Sequence, residues 1–534
     1  MSNETRMLLK NAKIYDGTGA EPFLGDVLLK GDRIEQAAPA IAPEPDCAVM
    51  DLQGLSLAPG FIDAHSHNDW FASRREPLPY FAPFIRQGIT TFVAGNCGLS
   101  AVGFDDGSPY RDQLGGGLFF FEDNAIGQVG AYLDKIDGHM PCNLAVLAGH
   151  CTARASVTGD ASRPLTAEEE TAMLNLLETA LLQGAAGISL GLMYSPGLYA
   201  QTEELKNVAA LCEKYDRPLT VHPRANSAVS MAYPQLLGRS HLLRAVDELV
   251  EIVKGTKTKL QYSHAIFVGR RSFKDKDEFL SIMAELRRQG VDAMFDIYDE
   301  TLGVSVITVI LPTWYQAMDQ AERDKPLTRL KLRALVYASS LLLGFGFKDI
   351  QVAYIGPGYE KYEGKTVHDI AVEEKLSDLD AYLMLCRKSD FKGRVNMGPY
   401  TTPEIISEFA HHPYCLYMTD AWVEPFGVQN PAIYDCFPKF LRDALLGTGD
   451  TLANTIHKMT GATAQRFSLR DRGLIKPGCL ADLTLFDETE LKAAQPDQSR
   501  SFGIRGVWIN GRQVLKDGEL QEELLSDSGR ALRV

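Results

Sequence analysis

The sequence predicts an α/β protein in which a closed, TIM-like (β/α)8 barrel carries a small β-domain built from both chain termini. Three observations predict it: short apolar strands alternate with helical patterns through the middle of the chain, eight such strands are present, and β-type runs with tight-turn signals occupy the two ends. At 534 residues the chain exceeds one ordinary core, which favours a large domain plus a smaller one. With 45% hydrophobic and 23% charged residues it is globular rather than disordered.

The first element is the amino-terminal part of the β-domain, residues 1–58. There LLKNAKIYDG and DVLLKGDRIEQ are β-type runs broken by Asp16-Gly17 and by Lys30-Gly31-Asp32. Its counterpart is 471–534, where ADLTLFD precedes GVWINGRQVLKDG with its Asn510-Gly511 hairpin signal. Two distant segments complete one sheet only if the chain between them leaves and returns, so residues 59–470 are assigned to the barrel. Its strands are LAPGFIDAHSH, TTFVAGNCG, NLAVLAGH, GISLGL, LTVHPR, LQYSHA, MFDIYD and CLYMTD. Between them, Thr166 with Glu169 forms a capping-box pattern, and Thr202 before Glu203 and Glu204 marks a second helix start. Two connections are too long for a barrel: 99–142, with the segment LGGGLFFFE, and 299–414. Both are expected to cover the active face, with about 299–350 as an insertion over the mouth. The apolar run from Ala334 to Phe347 is shorter than the ~20 residues that span a bilayer and reads as a core helix.

Charge and composition exclude several function classes. The 54 basic and 69 acidic residues give −15, which opposes a phosphate backbone or an anionic membrane. The polar start MSNETRMLLKNAKIYDG lacks a signal segment, and nine scattered cysteines read as reduced thiols, so a cytoplasmic protein is expected. No Gly-rich dinucleotide fingerprint or P-loop follows any strand, which disfavours a nucleotide cofactor.

Strand ends of a barrel converge on one pocket, so the residues terminating the strands carry the information. His65 and His67 end the first strand, Cys97 follows the second, His222 ends the fifth, His264 the sixth and Asp420 the eighth. Alternate strand residues share a face, so His65 and His67 approach one ion while Ser66 points away. Imidazole, thiolate and carboxylate are suitable Zn2+ ligands. Gly95 and Gly98 around Cys97 allow close backbone approach; a buried inert thiol is the alternative for Cys97. His150, ending strand three, reads as a satisfied polar residue, and His411 and His412 as loop residues.

The strings APGFIDAHSH, GNCG, GISLGLMYSPG with TEEL, VHPR, YSHA, DIYDETLG with LPTW, MTD, and KMTGATAQRF leading into DRGLIKPGCLADLTLFD are spread over residues 58–487 of the chain. In this text the chain resembles the amidohydrolase superfamily and, within it, the D-aminoacylase (N-acyl-D-amino-acid deacylase) family. The resemblance implies a metal held tightly by Cys97, His222 and His264, with His65, His67 and Asp420 forming a weaker adjoining position. It implies Asp420 as general base, Tyr194 at the acyl oxygen and Tyr298 in the pocket; aromatic packing is the alternative for both tyrosines.

The departures from the family bear on substrate. The family has a lysine where this chain has Ile266, and an arginine in an HPR segment where it reads Asn430-Pro431-Ala432. Both family residues hold the substrate carboxylate. Ala421-Trp422 after Asp420 replaces the usual glycine with a bulkier wall. Arg224 remains as a candidate anion contact, with a structural hydrogen bond as its other role. The expectation is therefore a zinc hydrolase of a small N-acyl amide whose amine side is neutral or less carboxylated. A second divalent ion would bind weakly, neither nucleic acid nor membrane is a partner, and a homo-oligomer is left open. The alternatives are a true N-acyl-D-amino-acid deacylase with its clamp rebuilt from Arg224, Arg270 or Arg271, a cyclic amidase, lactonase or deaminase, and, least, a non-enzymatic metal-binding scaffold.

Overall fold

The structure, a computed structural model, describes residues 6–115, 119, 126–230, 232–233, 238–316, 318–497 and 499–534. Eight parallel strands follow one another: Phe61–Ser66, Ile89–Ala94, Asn143–Val146 continued by Ala148–Gly149, Ile188–Gly191, Pro218–His222, Lys259–Tyr262, Asp292–Ile297 and Cys415–Tyr417. Successive strands pair in parallel. Past the last one, the Asp420 amide donates to the His65 carbonyl at 3.1 Å and the Thr419 amide to Asp63 Oδ1 at 3.0 Å, so the eighth strand ends against the first. Strands covered on both faces are buried along their length and mostly apolar, which is why they read as near-continuous runs such as the fully buried ITTFVA. All eight sequence segments fall on these strands. Their helices form where expected: Ala167–Leu182 opens with the Thr166–Glu169 capping box, and Thr202–Lys214 starts at the threonine.

The two chain ends build a second, nine-stranded sheet. Arg6–Ile14 pairs with Phe23–Lys30 and runs parallel to Ser56–Pro59, which in turn pairs antiparallel with Leu483–Phe486. Its own apolar cluster includes Leu9, Ile14, Val27, Leu57, Leu483 and Trp508. Ile504–Ile509 and Arg512–Lys516 form the expected hairpin, with Asn510 and Gly511 both at positive φ, 47° and 80°.

Three features differ from the sequence expectation. The last strand, Ala531–Leu532, leaves the terminal sheet and pairs with Asn143–Val146, where the Asn143 side chain accepts the Arg530 amide at 3.0 Å. The long connection after residue 299 contains its own sheet, in which Arg394–Met397 lies between Gly303–Val306 and Ile350–Tyr354. The inserted unit therefore does not end near 350. The apolar run around residue 334 is not a core helix: in Pro326–Leu343 only Leu332 and Val336 are buried, because one stripe faces the protein while the leucines continue around the helix. Of LGGGLFFFE, only Leu114, Gly115 and Phe119 lie among the described residues. No helix among the described residues is long and apolar enough to cross a membrane.

Candidate metal centre

The strand ends bring six predicted ligands into two groups that share Cys97: His65, His67, Cys97 and Asp420, and Cys97, His222 and His264. Within each group the ligand atoms lie within 4.8 Å of one another. Cys97 Sγ is 3.4 Å from His65 Nε2 and 3.6 Å from His264 Nε2. Asp420 Oδ1 is 3.3 Å from His65 Nε2 and 3.5 Å from His67 Nε2. The His222 and His264 rings meet edge-on at 4.3 Å. The imidazoles are buried, whereas the Asp420 side chain keeps 23% exposure.

Local backbone shape sets these positions. Cys97, His264 and Asp420 adopt φ of 54°, 37° and 47°, a left-handed region costly for residues with a Cβ. Surrounding hydrogen bonds over-determine each. Around Cys97, Asp69 accepts the Gly95 and Ala101 amides at 3.0 and 2.7 Å, and Ser189 Oγ accepts the Gly98 amide at 3.0 Å. A Cβ on Gly98 would lie 2.5 Å from the Gly191 amide nitrogen, so the loop requires glycine. Asp296 accepts the His264 amide at 2.6 Å and lies 3.6 Å from His65 Nδ1, behind the ring. Asp63 accepts the His65 amide at 3.2 Å and the Thr419 hydroxyl at 2.6 Å. Sequence reasoning missed Asp63, Asp69 and Asp296. Their signal was an aspartate inside or just past an otherwise apolar strand, where an unpaired carboxylate would be costly.

The electrostatics fit a cation. Burial opposes ionisation of Asp420, yet His65 and His67 outweigh it and hold the carboxyl well below its usual range. Burial lowers His65, but Cys97, Asp420 and Asp296 outweigh it and raise that imidazole well above its ordinary value. Burial pushes the Cys97 thiol up to about 11, so a thiolate there needs positive charge beside it. Burial lowers His222 well below its ordinary value, with His264 adding to it, and burial also lowers His264; both stay neutral, as ligands must. The donors are thus two neutral imidazoles, a thiol that ionises only next to a cation, and a histidine pair drawn to an aspartate. This set fits a divalent ion.

The Amidohydrolase family matches residues 48–312 and 419–515, which include all six residues. The chain belongs to the amidohydrolase family. As an amidohydrolase it is a metal-dependent hydrolase of C–N amide bonds. It is 28% identical over 523 residues to a D-aminoacylase of Alcaligenes xylosoxydans xylosoxydans, covering 96% of this chain and 94% of that one. It is also 28% identical over 525 residues to an N-acyl-D-aspartate deacylase of the same organism, covering 96% and 92%. Among solved structures it superposes on a D-aminoacylase with a TM-score of 0.76 at 25% identity, covering 99% of each chain; that enzyme is described as having a binuclear metal centre with one-metal activation and second-metal attenuation.

Around the amidohydrolase centre, the remaining sequence candidates divide. Tyr194 joins it: its hydroxyl is 3.4 Å from His222 Nδ1, and burial, with Cys97 and Asp420 nearby, raises the phenol well above its ordinary value, so it stays a donor. Trp422 packs edge-on against His67 at 5.3 Å, and Phe119 stacks on the same ring at 5.3 Å. Tyr298 and Ile266 line a small apolar void of about 10 Å³ with Ala265, Ile297 and Ile405. Ala432 is fully buried in the first turn of Ala432–Leu446, its carbonyl accepting from Gln87 at 3.0 Å. His150 is not in either group; it pairs with Glu204 at 2.8 Å. Neither His411 nor His412 joins them.

Arg224 is held by its own chain. Its guanidinium makes two 2.9 Å bonds to Glu248 and donates to the carbonyls of Leu198 and Ala200 at 2.5 and 3.1 Å. Arg154, paired with Glu204, donates to the Pro196 carbonyl at 3.1 Å. Two arginines thus hold the loop that carries Tyr194. Arg224→Met is expected to cost about 3 kcal/mol of stability, the low end for breaking a buried pair, because it leaves Glu248 uncompensated. Denaturant unfolding measures this; an unchanged midpoint would contradict the assignment.

Proposed function

We propose that this amidohydrolase cleaves the amide bond of a small N-acyl substrate whose amine side carries no free carboxylate. The observation that carries the reading is the convergence of Cys97, His222, His264, His65 and His67 around the partly exposed carboxylate of Asp420. A thiolate with two imidazoles leaves a coordination position open and suits Zn2+, so we assign one tight zinc to Cys97, His222 and His264 and a weaker second position to His65, His67 and Asp420. The D-aminoacylase description of activation by one metal supports that division. We place the six at the mouth of a closed (β/α)8 barrel formed by about 59–470, beside a β-domain from 1–58 and 471 onward. The inserted unit after 299 lies over that mouth.

When bound, the ion would polarise the acyl oxygen and lower the pKa of a water. The chain's residues do the rest. Asp420, held ionised by His65 and His67, takes the water's proton and hands it to the leaving nitrogen, so one carboxylate serves as base and then as acid. The Tyr194 hydroxyl, kept protonated, donates toward the acyl oxygen as negative charge develops there. Asp296, Asp63 and the arginine-held loop keep these groups in place.

The substrate class follows from what surrounds the site. On the resemblance to the D-aminoacylase family, Ile266 and Ala432 stand in for its carboxylate-binding lysine and arginine, and both side chains are buried. Arg224 is bound to Glu248, and Arg270 to Asp349 at 2.8 Å and the Gly344 carbonyl at 2.9 Å. A substrate carboxylate would carry its desolvation cost into the transition state, whereas apolar surface gains ~25 cal/mol per Å². An N-acyl amine or amide should therefore show a higher kcat/KM than its matched N-acyl-D-amino acid. The reverse order would make the chain an N-acyl-D-amino-acid deacylase, the reading its relatives favour. The cysteines are all free and seven are buried, which supports a reducing, cytoplasmic location.

A further inference from the structure

Helix Pro326–Leu343 carries an apolar stripe on the face that the protein leaves uncovered. Leu327, Leu330, Tyr337 and Leu341 are 82%, 66%, 67% and 51% exposed, and Ala334 between them is exposed as well. Leu332 and Val336, on the opposite side, are the helix's buried residues. Isolated exposed leucines are ordinary, but a continuous row along four turns is not. The row steps by three, four, three and four residues, the spacing that keeps a seam on one face of a helix against a partner helix.

We propose that this stripe binds the same helix of a second copy of the chain, antiparallel, with the twofold axis beside Ala334. Two features of the helix select that occupant and orientation. First, the stripe is close to self-complementary about its centre: reversing one copy about Ala334 sets Leu327 opposite Leu341, Ala334 opposite Ala334 and Leu330 within one residue of Tyr337, with the small residue where the helices approach most closely. Second, the charges are segregated. Arg329, Lys331 and Arg333 lie in the first half, and residues 334–343 carry none. Antiparallel pairing lays each basic half against the partner's uncharged half and near the negative end of its helix dipole, whereas parallel pairing would set the three cations of each copy against those of the other. The cations are also turned toward their own chain: Arg329 pairs with Asp380, and Lys331 Nζ lies 4.4 Å over the Trp314 ring. The helix ends against the segment that follows His264, where the Gly344 carbonyl accepts from Arg270 at 2.9 Å, so the interface would brace the inserted unit beside the centre.

The test uses the full-length, metal-loaded protein. Light scattering after size exclusion at micromolar concentration is expected to give twice the 58.8 kDa chain mass, and Leu330→Glu with Leu341→Glu is expected to give the monomer with an unchanged melting temperature. Under mild oxidation, Ala334→Cys should form a covalent dimer that reductant reverses, while Leu327→Cys alone should not and Leu327→Cys with Leu341→Cys should. The parent chain, in which only Cys47 and Cys479 are not buried, is the background. A monomeric parent, a dimer indifferent to the glutamates, or efficient cross-linking of Leu327→Cys alone would each overturn the proposal. So would a monomer that floats with anionic vesicles, which would assign the stripe to a lipid surface.

Discussion

Asp420→Asn is expected to lower kcat by ~10²- to 10⁴-fold, the usual range for removing a general acid–base group, while the protein stays folded. The isosteric amide has no basic oxygen for the water's proton and cannot return one to the leaving nitrogen. Asp420 is the member of the cluster that keeps 23% exposure and that two imidazoles hold ionised, so it is placed to meet both water and substrate. Because the tight ion is assigned to Cys97, His222 and His264, its content should be nearly unchanged in this variant. Steady-state kinetics beside metal analysis separate the two roles: near-normal turnover would remove Asp420 from the mechanism, and loss of the tight ion together with activity would make it chiefly a ligand.

The second large effect is expected from Cys97→Ala, which should abolish tight metal binding and, with it, activity. Cys97 is shared by both ligand groups, and burial pushes its thiol up to about 11, so the metal-loaded state depends on a cation to ionise it. Removing Sγ leaves His222 and His264 as two neutral imidazoles, too few for a tight tetrahedral site. His65→Ala, by contrast, should retain the tight ion and lose the weaker position. Elemental analysis after dialysis distinguishes these outcomes, and unchanged metal content in Cys97→Ala would make the thiol a packing residue.

What the sequence disclosed and what it hid follow from the range of the interactions involved. The eight strands were legible because each is a local apolar run covered on both sides, and the six candidate ligands because they sit at or just past the ends of those strands. The hairpin at Asn510-Gly511 and the Thr166 cap were legible for the same local reason. Arg224 was ambiguous in sequence because its partner Glu248 lies 24 residues on, within the next helix, and the loop it holds precedes it. The pairing of Ala531–Leu532 with Asn143–Val146 joins segments almost 400 residues apart through one short edge, which leaves no local pattern. The helix at Pro326–Leu343 misled because leucine density reports apolarity but not which face is covered.

On the proposed mechanism, a cation at the Cys97, His222 and His264 set acts with Asp420 in amide hydrolysis. Zinc add-back to chelated wild-type protein, followed by hydrolysis of a neutral N-acyl amide, is the decisive measurement. No turnover is expected in the chelated protein, with recovery that saturates at about one zinc per chain, as a single open three-ligand site requires. Full activity in the chelated protein, or zinc bound at one per chain without recovery, would contradict the mechanism.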